Sequence, residues 1–446
     1  MQTVRAQFHL RFLIAAAVPA ACLWNPLPLD AAADAVPAGE PAGEAAVSAA
    51  ELPEDPDPGI DAATLFPEST PELQFPDEQI WTFLPRLTTG VFHESNIYLQ
   101  ASRPVGDWIA SVSPGLSFEL GAAGAGRNFF SNVPEASEEP GSLWLDSELS
   151  RLEFQQNRSQ SVWNGAVQFG AVWGTARTRL GLRTGWDSVA ERTADLGQRI
   201  SPTGIRLRRE TAAGVLRGVY ELTAKTAVSA DVFGLRESRE PGFELEETRL
   251  SLGVSYAATE KIRASMQLAG GRVRLVAGPE QVYGQATLVV RYEATPKTSL
   301  QAQAGLERRR IGDGGGSFLN PLLSLEAVWA PSEKLRVRAA LERQTATSRI
   351  FPTENFVRNT AELGVEWDLP WNMKTRAICG VGTADYTDSI RGRREESFFY
   401  GRVTVVRSVG RGIELELGFE QQANRSSTLG AGYRDSIGFF QIRLSP

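Results

Sequence analysis

A turn that occurs in six phased copies constrains this chain more than any other feature. Thr295-Pro-Lys297 stands between two runs of strict alternation, with Val282, Gly284, Ala286, Leu288, Val290 and Tyr292 on one parity before it and Leu300, Ala302, Ala304 and Leu306 on one parity after it. Gln285, Thr287, Arg291, Gln301, Gln303 and Glu307 occupy the other parity. Successive side chains of a strand point to opposite faces, so this is a hairpin with one apolar and one polar face. Equivalent turns lie at Leu222-Thr-Ala-Lys225, Ala258-Thr-Glu-Lys261, Pro331-Ser-Glu-Lys334 and Trp371-Asn-Met-Lys374, with a lysine-free copy at Gly410-Arg-Gly412. Anchors at 225, 261, 297, 334, 374 and 411 are spaced by 36, 36, 37, 40 and 37 residues, and the five lysines among them are the only lysines of the chain, against 41 arginines. Such a period marks a repeat architecture whose unit is two strands of a long antiparallel meander.

Composition narrows the class. No apolar run beyond the N-terminus approaches the roughly 20 residues of a spanning helix, and the mean hydropathy is −0.21, which excludes a helical membrane protein. A transmembrane barrel stays open, because its strands turn half their residues to a polar interior. Cys22 and Cys379 are too few for a disulfide framework, and His9 and His93 are the only histidines. A histidine-based triad or a multi-histidine metal site is therefore unsupplied. No catalytic residue, metal site or cofactor is expected, and His93 is expected at an outer rim without a catalytic role. Gly312-Asp-Gly-Gly-Gly316 lacks the strand-to-helix setting of a phosphate loop and reads as a loop tip. No basic and aromatic pattern for nucleic acid is present.

Charge divides the chain. Residues 12–85 contain no Lys or Arg and residues 30–79 carry 13 acidic side chains, whereas from Arg86 onward 44 basic residues face 40 acidic ones. Residues 1–35 read as an export signal, with Arg5 and Arg11 before the apolar stretch from Phe12 to Ala21 and a small-residue cleavage candidate at Ala33-Asp-Ala35. Pro19-Ala-Ala-Cys22 resembles a lipoprotein box with proline in place of its branched aliphatic residue, so lipidation at Cys22 is an open alternative. Residues 36–79, rich in Pro, Ala and Glu without apolar periodicity, read as a disordered acidic segment. Residues 80–446 remain for the folded part.

Between 83–95 and 433–445 the alternation marks about eighteen strands (16–18), an all-β antiparallel up-and-down arrangement. With both termini on one side, every even-to-odd connection should be short, and the six turns above and Trp173-Gly-Thr-Ala-Arg177 obey this. Gly121 to Gly141 does not: it is either an insertion or a sign that the first two strands are misplaced. The odd-to-even connections are longer and rich in Gly, Pro and Arg.

Aromatic placement separates a membrane barrel from a soluble sandwich. Trp173, Tyr220, Tyr256, Tyr292, Trp329 and Trp367 lie on the apolar parity within a few residues of a short turn. Amphipathic rings at one depth form the interfacial girdle of a transmembrane β-barrel, whereas a sandwich has no reason to align them. The polar parity then faces a lumen. It carries Arg179, Arg183, Arg217, Arg249, Arg263, Arg291, Arg309, Arg336, Arg338 and Arg402, interleaved with carboxylates that include Glu362, Glu366, Glu414 and Glu416. These can hold an anionic cargo in weak successive contacts, or pair with one another and stiffen the wall. Further arginines crowd the long connections and strand tips, among them Arg206, Arg208, Arg209, Arg236, Arg239, Arg272, Arg274, Arg308, Arg310, Arg391, Arg393 and Arg394. They could meet lipopolysaccharide phosphates or acidic glycans, or simply stay solvated.

The repeated unit of strand, Tyr or Trp, Thr-Pro-Lys-Thr-like turn and strand resembles the second family of outer-membrane beta-barrel porins associated with exopolysaccharide synthesis and export in Gram-negative bacteria. Gly90-Val-Phe-His-Glu-Ser-Asn-Ile97 and the strand Asp107-Trp-Ile-Ala-Ser-Val-Ser-Pro-Gly-Leu116 are similar to that family's first hairpin. The resemblance covers residues 83–446. It departs at 121–141, in the acidic segment and at the C-terminus, where Ser445-Pro446 replaces a terminal aromatic residue. It implies a Gram-negative outer-membrane channel for an exopolysaccharide or a charged solute, with lipid, lipopolysaccharide, a polysaccharide and periplasmic export components as partners. The alternative is a non-conducting barrel acting in attachment or envelope organisation through its arginine-rich outer loops.

Overall fold

The computed structural model describes residues 81–100, 103–121, 141–175, 177–191, 207–239, 243–276, 278–312, 316–347, 355–386, 394–427 and 432–445. The export signal, the acidic segment, Cys22 and the arginines at 206, 391 and 393 lie outside them. In chain order the strands are β1 Trp81–Glu94, β2 Asp107–Leu120, β3 Ser142–Phe154, β4 Val162–Gly174, β5 Thr178–Glu191 and β6 Leu207–Thr223. They continue as β7 Thr226–Arg239, β8 Phe243–Ala257, β9 Ile262–Leu275, β10 Gln281–Thr295, β11 Thr298–Ile311 and β12 Ser317–Ser332. The last six are β13 Leu335–Thr347, β14 Asn355–Leu369, β15 Met373–Tyr386, β16 Arg394–Ser408, β17 Ile413–Ser426 and β18 Tyr433–Leu444. Every strand expected from alternation is present. β1 and β2 stand where the alternation puts them, so the long connection after Gly121 is an insertion at the short-turn end.

Each strand pairs antiparallel with its sequence neighbours, and β18 returns to β1 through Leu87↔Leu444 to Glu94↔Ile437. The result is a closed eighteen-stranded barrel with no free sheet edge.

The short turns show why threonine precedes the anchor lysine. Thr223 Oγ1 accepts the backbone N–H groups of Lys225 (3.1 Å) and Thr226 (3.0 Å), and Thr259 does the same for Lys261 (3.2 Å) and Ile262 (3.0 Å). Thr295 accepts from Lys297 at 3.1 Å. The hydroxyl thus satisfies turn donors that have no ladder partner. The lysine carbonyl then accepts a backbone N–H from the next hairpin: Ala257 on Lys225 (2.8 Å), Glu293 on Lys261 (2.8 Å), Ala330 on Lys297 (2.7 Å) and Asp368 on Lys334 (2.7 Å). Lys297 Nζ also donates to the carbonyl of Pro331 (2.9 Å), one turn further round. The period seen in the sequence is therefore an arc of turns, each bonded to the next.

On the outer face Leu250, Leu252, Val254, Met266, Leu268, Leu288, Leu306, Leu323, Leu325 and Leu417 all stand exposed. A continuous apolar belt of this extent is unstable in water and belongs in hydrocarbon. At its short-turn edge Trp173, Tyr220, Tyr256, Tyr292 and Trp329 point outward and exposed, with Trp367 on the same face and half-buried.

Candidate functional site

The inner face is the site, and strand pairing decides what lies on it. Directly opposed residues share a face, so Arg217↔Asp231, Arg291↔Arg263, Arg336↔Glu366, Arg402↔Glu420 and Glu414↔Arg443 are inward pairs. The same parity places Arg179, Arg183, Arg249, Arg309, Arg338, Glu362 and Glu416 on the inner wall.

The wall has two tiers. Towards the short-turn end the charges are paired and partly solvated. Arg179 meets Glu221 at 2.6 Å, and Arg338 bridges Glu326 (3.0 Å) and Glu362 (2.8 Å). Arg443 meets Glu414 at 3.2 Å, Arg376 meets Glu366 at 3.5 Å, Arg291 meets Glu293 at 3.6 Å and Arg402 meets Glu416 at 3.8 Å. The side chains of Arg338 and Arg402 are 36% and 43% exposed. Arg217 and Asp231 make a closer, nearly buried pair at 2.6 Å. Arg183 and Arg336 have no ion-pair partner among the described residues.

Towards the long-loop end the wall is packed. Arg309 donates to Glu307 at 2.8 Å, to Gln281 at 3.2 Å and to Asn355 at 3.4 Å, with the two charged side chains only 4% and 1% exposed. Arg239 with Glu237 (2.7 Å) and Arg394 with Glu396 (2.7 Å) repeat the arrangement on β7 and β16. Guanidinium groups lie over inner aromatic rings, Arg309 on Tyr283 at 4.9 Å, Arg394 on Tyr386 at 4.3 Å and Arg249 on Phe233 at 4.8 Å. Such stacking and pairing offset the cost of removing these charges from water.

The connection after β1 folds inward over this tier. Ile97 is buried against Ile109 and Phe154, both on the inner face. Asp435 accepts from Ser95 Oγ (3.1 Å) and the Asn96 backbone N–H (3.0 Å), while Asn96 Nδ2 donates to the carbonyls of Gln100 (2.9 Å) and Arg434 (3.0 Å). Asp107 fixes the neighbouring connection by accepting the backbone N–H (2.7 Å) and side-chain amide (2.9 Å) of Asn157. The Glu-Ser-Asn-Ile stretch thus narrows the mouth at the long-loop end. His93 points outward, its ring 4.8 Å from that of Trp108, away from this network.

Two features escaped the sequence reading. Inner rings lie flat over glycines directly across the ladder: Trp144 over Gly170, Tyr283 over Gly271, Phe398 over Gly382, Tyr400 over Gly380 and Phe439 over Gly418. A Cβ at any of these glycines would overlap the ring, so the pairs keep bulky side chains against the wall and out of the lumen. Tyr400 is also tied by a hydrogen bond to Glu362. The second feature is a set of outward aromatics near the long-loop end, Trp108, Trp163 and Trp186, whose parity alone could have found them. The pleat also divides the arginines grouped at strand tips: Arg309 faces in, while Arg308 and Arg310 face out.

A closed antiparallel barrel with an apolar outer belt, an aromatic girdle, a charged interior, short turns at one end and long connections at the other is an outer-membrane β-barrel of porin-like architecture, at home in the Gram-negative outer membrane. No family model and no curated protein matches the chain. Among solved structures, Pseudomonas aeruginosa OpdK with vanillate is similar at 13% identity over 82% of this chain and 99% of that one, with a TM-score of 0.45. Acinetobacter baumannii OccAB4 is similar at 10% identity over 83% and 100%, with a TM-score of 0.46. The FrpB iron transporter of Neisseria meningitidis is similar at 11% over 78% and 63%, with a TM-score of 0.44. Likeness this distant transfers no cargo; the architecture rests on the strand pairing itself.

Proposed function

We propose that the barrel is a passive channel for hydrophilic cargo, with a flexible saccharide chain as the finer reading. The observation that carries it is the two-tiered inner wall. Near the short-turn end, arginines and carboxylates alternate in partly solvated pairs, a surface of nearly balanced charge that wets the lumen without trapping either sign. Near the long-loop end, aromatic rings and buried ion pairs line the wall, which suits a cargo with apolar faces and many hydroxyl groups. An exopolysaccharide has that chemistry and agrees with the family resemblance.

The packed outer tier and the inward Glu-Ser-Asn-Ile connection favour a second reading, a barrel that does not conduct at rest and acts through its outer surface. One experiment separates them. The refolded full-length protein is inserted in planar bilayers and its current recorded with and without neutral and anionic oligosaccharides. Stable current blocked by one saccharide class supports the channel; insertion without current refutes it and leaves the surface role.

A further inference from the structure

The outer face of β9 to β11 carries a cluster of arginines at its long-loop end, next to an apolar stretch. Arg272↔Val282↔Arg310 form one outward row across three strands, and Gly270↔Gly284↔Arg308 form the row next to it. Arg274 stands above, on the same parity of β9. Two strand spacings separate the columns by about 10 Å, which leaves a strip between them. Below exposed Val282 the row of Gly270 and Gly284 is open: nothing lies within 4 Å of a Cβ built on Gly270, and only the Ala269 carbonyl, at 3.9 Å, approaches one on Gly284.

All four arginines are exposed. Glu280, in the connection between β9 and β10, bonds Arg272 and lies 3.9 Å from Arg274. The hydrogen bond from Arg272 holds the Glu280 carboxyl below its ordinary range, so it stays ionised. Arg308 and Arg310 have no ion-pair partner among the described residues. With Glu246, exposed directly across the ladder from Arg274, two anions stand against four cations, and the excess positive charge lies with Arg308 and Arg310.

Depth identifies what meets that charge. From Val282, in the arginine row, to Tyr292, in the aromatic girdle, runs ten residues of β10. At about 3.4 Å per residue and a tilt of about 40°, these rise about 26 Å, the height of an apolar band. The girdle lies at one edge of the hydrocarbon, so the arginines lie at the headgroup level of the opposite leaflet, on the long-loop side.

We propose that Arg272, Arg274, Arg308 and Arg310 form a site for the phosphorylated headgroup of an outer-leaflet glycolipid, with an acyl chain entering over Gly270 and Gly284. Planar guanidinium forks grip phosphate oxygens in pairs, which lysine does less well, and the site contains only arginine. It is independent of any conductance through the lumen.

The test uses the full-length barrel in detergent micelles, with native mass spectrometry reading bound diphosphoryl lipid A. Arg272→Gln, Arg274→Gln, Arg308→Gln and Arg310→Gln together should weaken binding about tenfold or more, and lipid A stripped of its phosphates should bind the wild type as weakly. Outward Arg151→Gln on β3 should change nothing. Unaltered affinity in the quadruple variant, or equal binding of the dephosphorylated lipid, overturns the proposal. So does full displacement by inorganic pyrophosphate at lipid concentrations, which would make this a site for free phosphate. Heat-modified gel mobility reports folding; if the quadruple variant fails it, Arg308→Gln with Arg310→Gln carries the same test, because neither has an ion pair to lose.

Discussion

The meaning of an inner arginine depends on its depth. Arg309 and Glu307 are almost fully enclosed, and truncating one member of a buried pair strands the charge of the other. Arg309→Ala should therefore destabilise the barrel by about 3 kcal/mol, even though Glu307 retains a hydrogen bond from Gln285. Arg402 and Glu416 sit 3.8 Å apart with the Arg402 side chain 43% exposed and its guanidinium 5.1 Å from the Phe439 ring, so Arg402→Ala should cost only about 1 kcal/mol. The urea midpoints of unfolding in micelles check both values, and equal losses would refute the two-tiered wall. Arg217 and Asp231 show what could be read beforehand: they can be counted outward from the Thr223 to Thr226 turn, which fixes their register. Arg309 could be assigned a face but not its full set of partners, because Asn355 comes from β14, beyond long connections, although Gln281 lies just across the short β10–β11 hairpin.

The hairpins were legible for a physical reason, since a two-residue period and a threonine-capped turn leave little choice of face or register. The first and last strands, expected at 83–95 and 433–445, run Trp81–Glu94 and Tyr433–Leu444. The ring-over-glycine pairs were not legible, and each of the five spans an odd-to-even connection whose length leaves register open. Gly380→Val should test what these pairs do. The new side chain cannot share space with Tyr400, so the ring and its bond to Glu362 must swing from the wall into the lumen. Single-channel conductance should fall with the barrel still folded; an unchanged current would show that the ring does not border the ion path. The inward connection from Ser95 to Gln100 was missed similarly, because Glu-Ser-Asn-Ile looks like a polar loop until Ile97 is placed against Ile109 and Phe154.

At the scale of the whole molecule the two rims differ chemically. All five lysines belong to the short turns, and arginine supplies every basic side chain elsewhere. If the short turns face the periplasm, a membrane-impermeant amine reagent should leave all five unlabelled in intact cells and reach them once the outer membrane is permeabilised, as peptide mapping would show. Labelling in intact cells would invert the orientation. The closing seam sets the order of assembly. β1 pairs with β2 along its whole length, from Trp81 to Glu94, but with β18 only from Leu87 onward. Each hairpin repeat closes a local loop at small entropic cost, whereas the seam joins the two ends of the folded chain and is its most expensive closure. It should zip last, after a curved, still-open sheet has formed, and it should also be the line along which the barrel first parts under load.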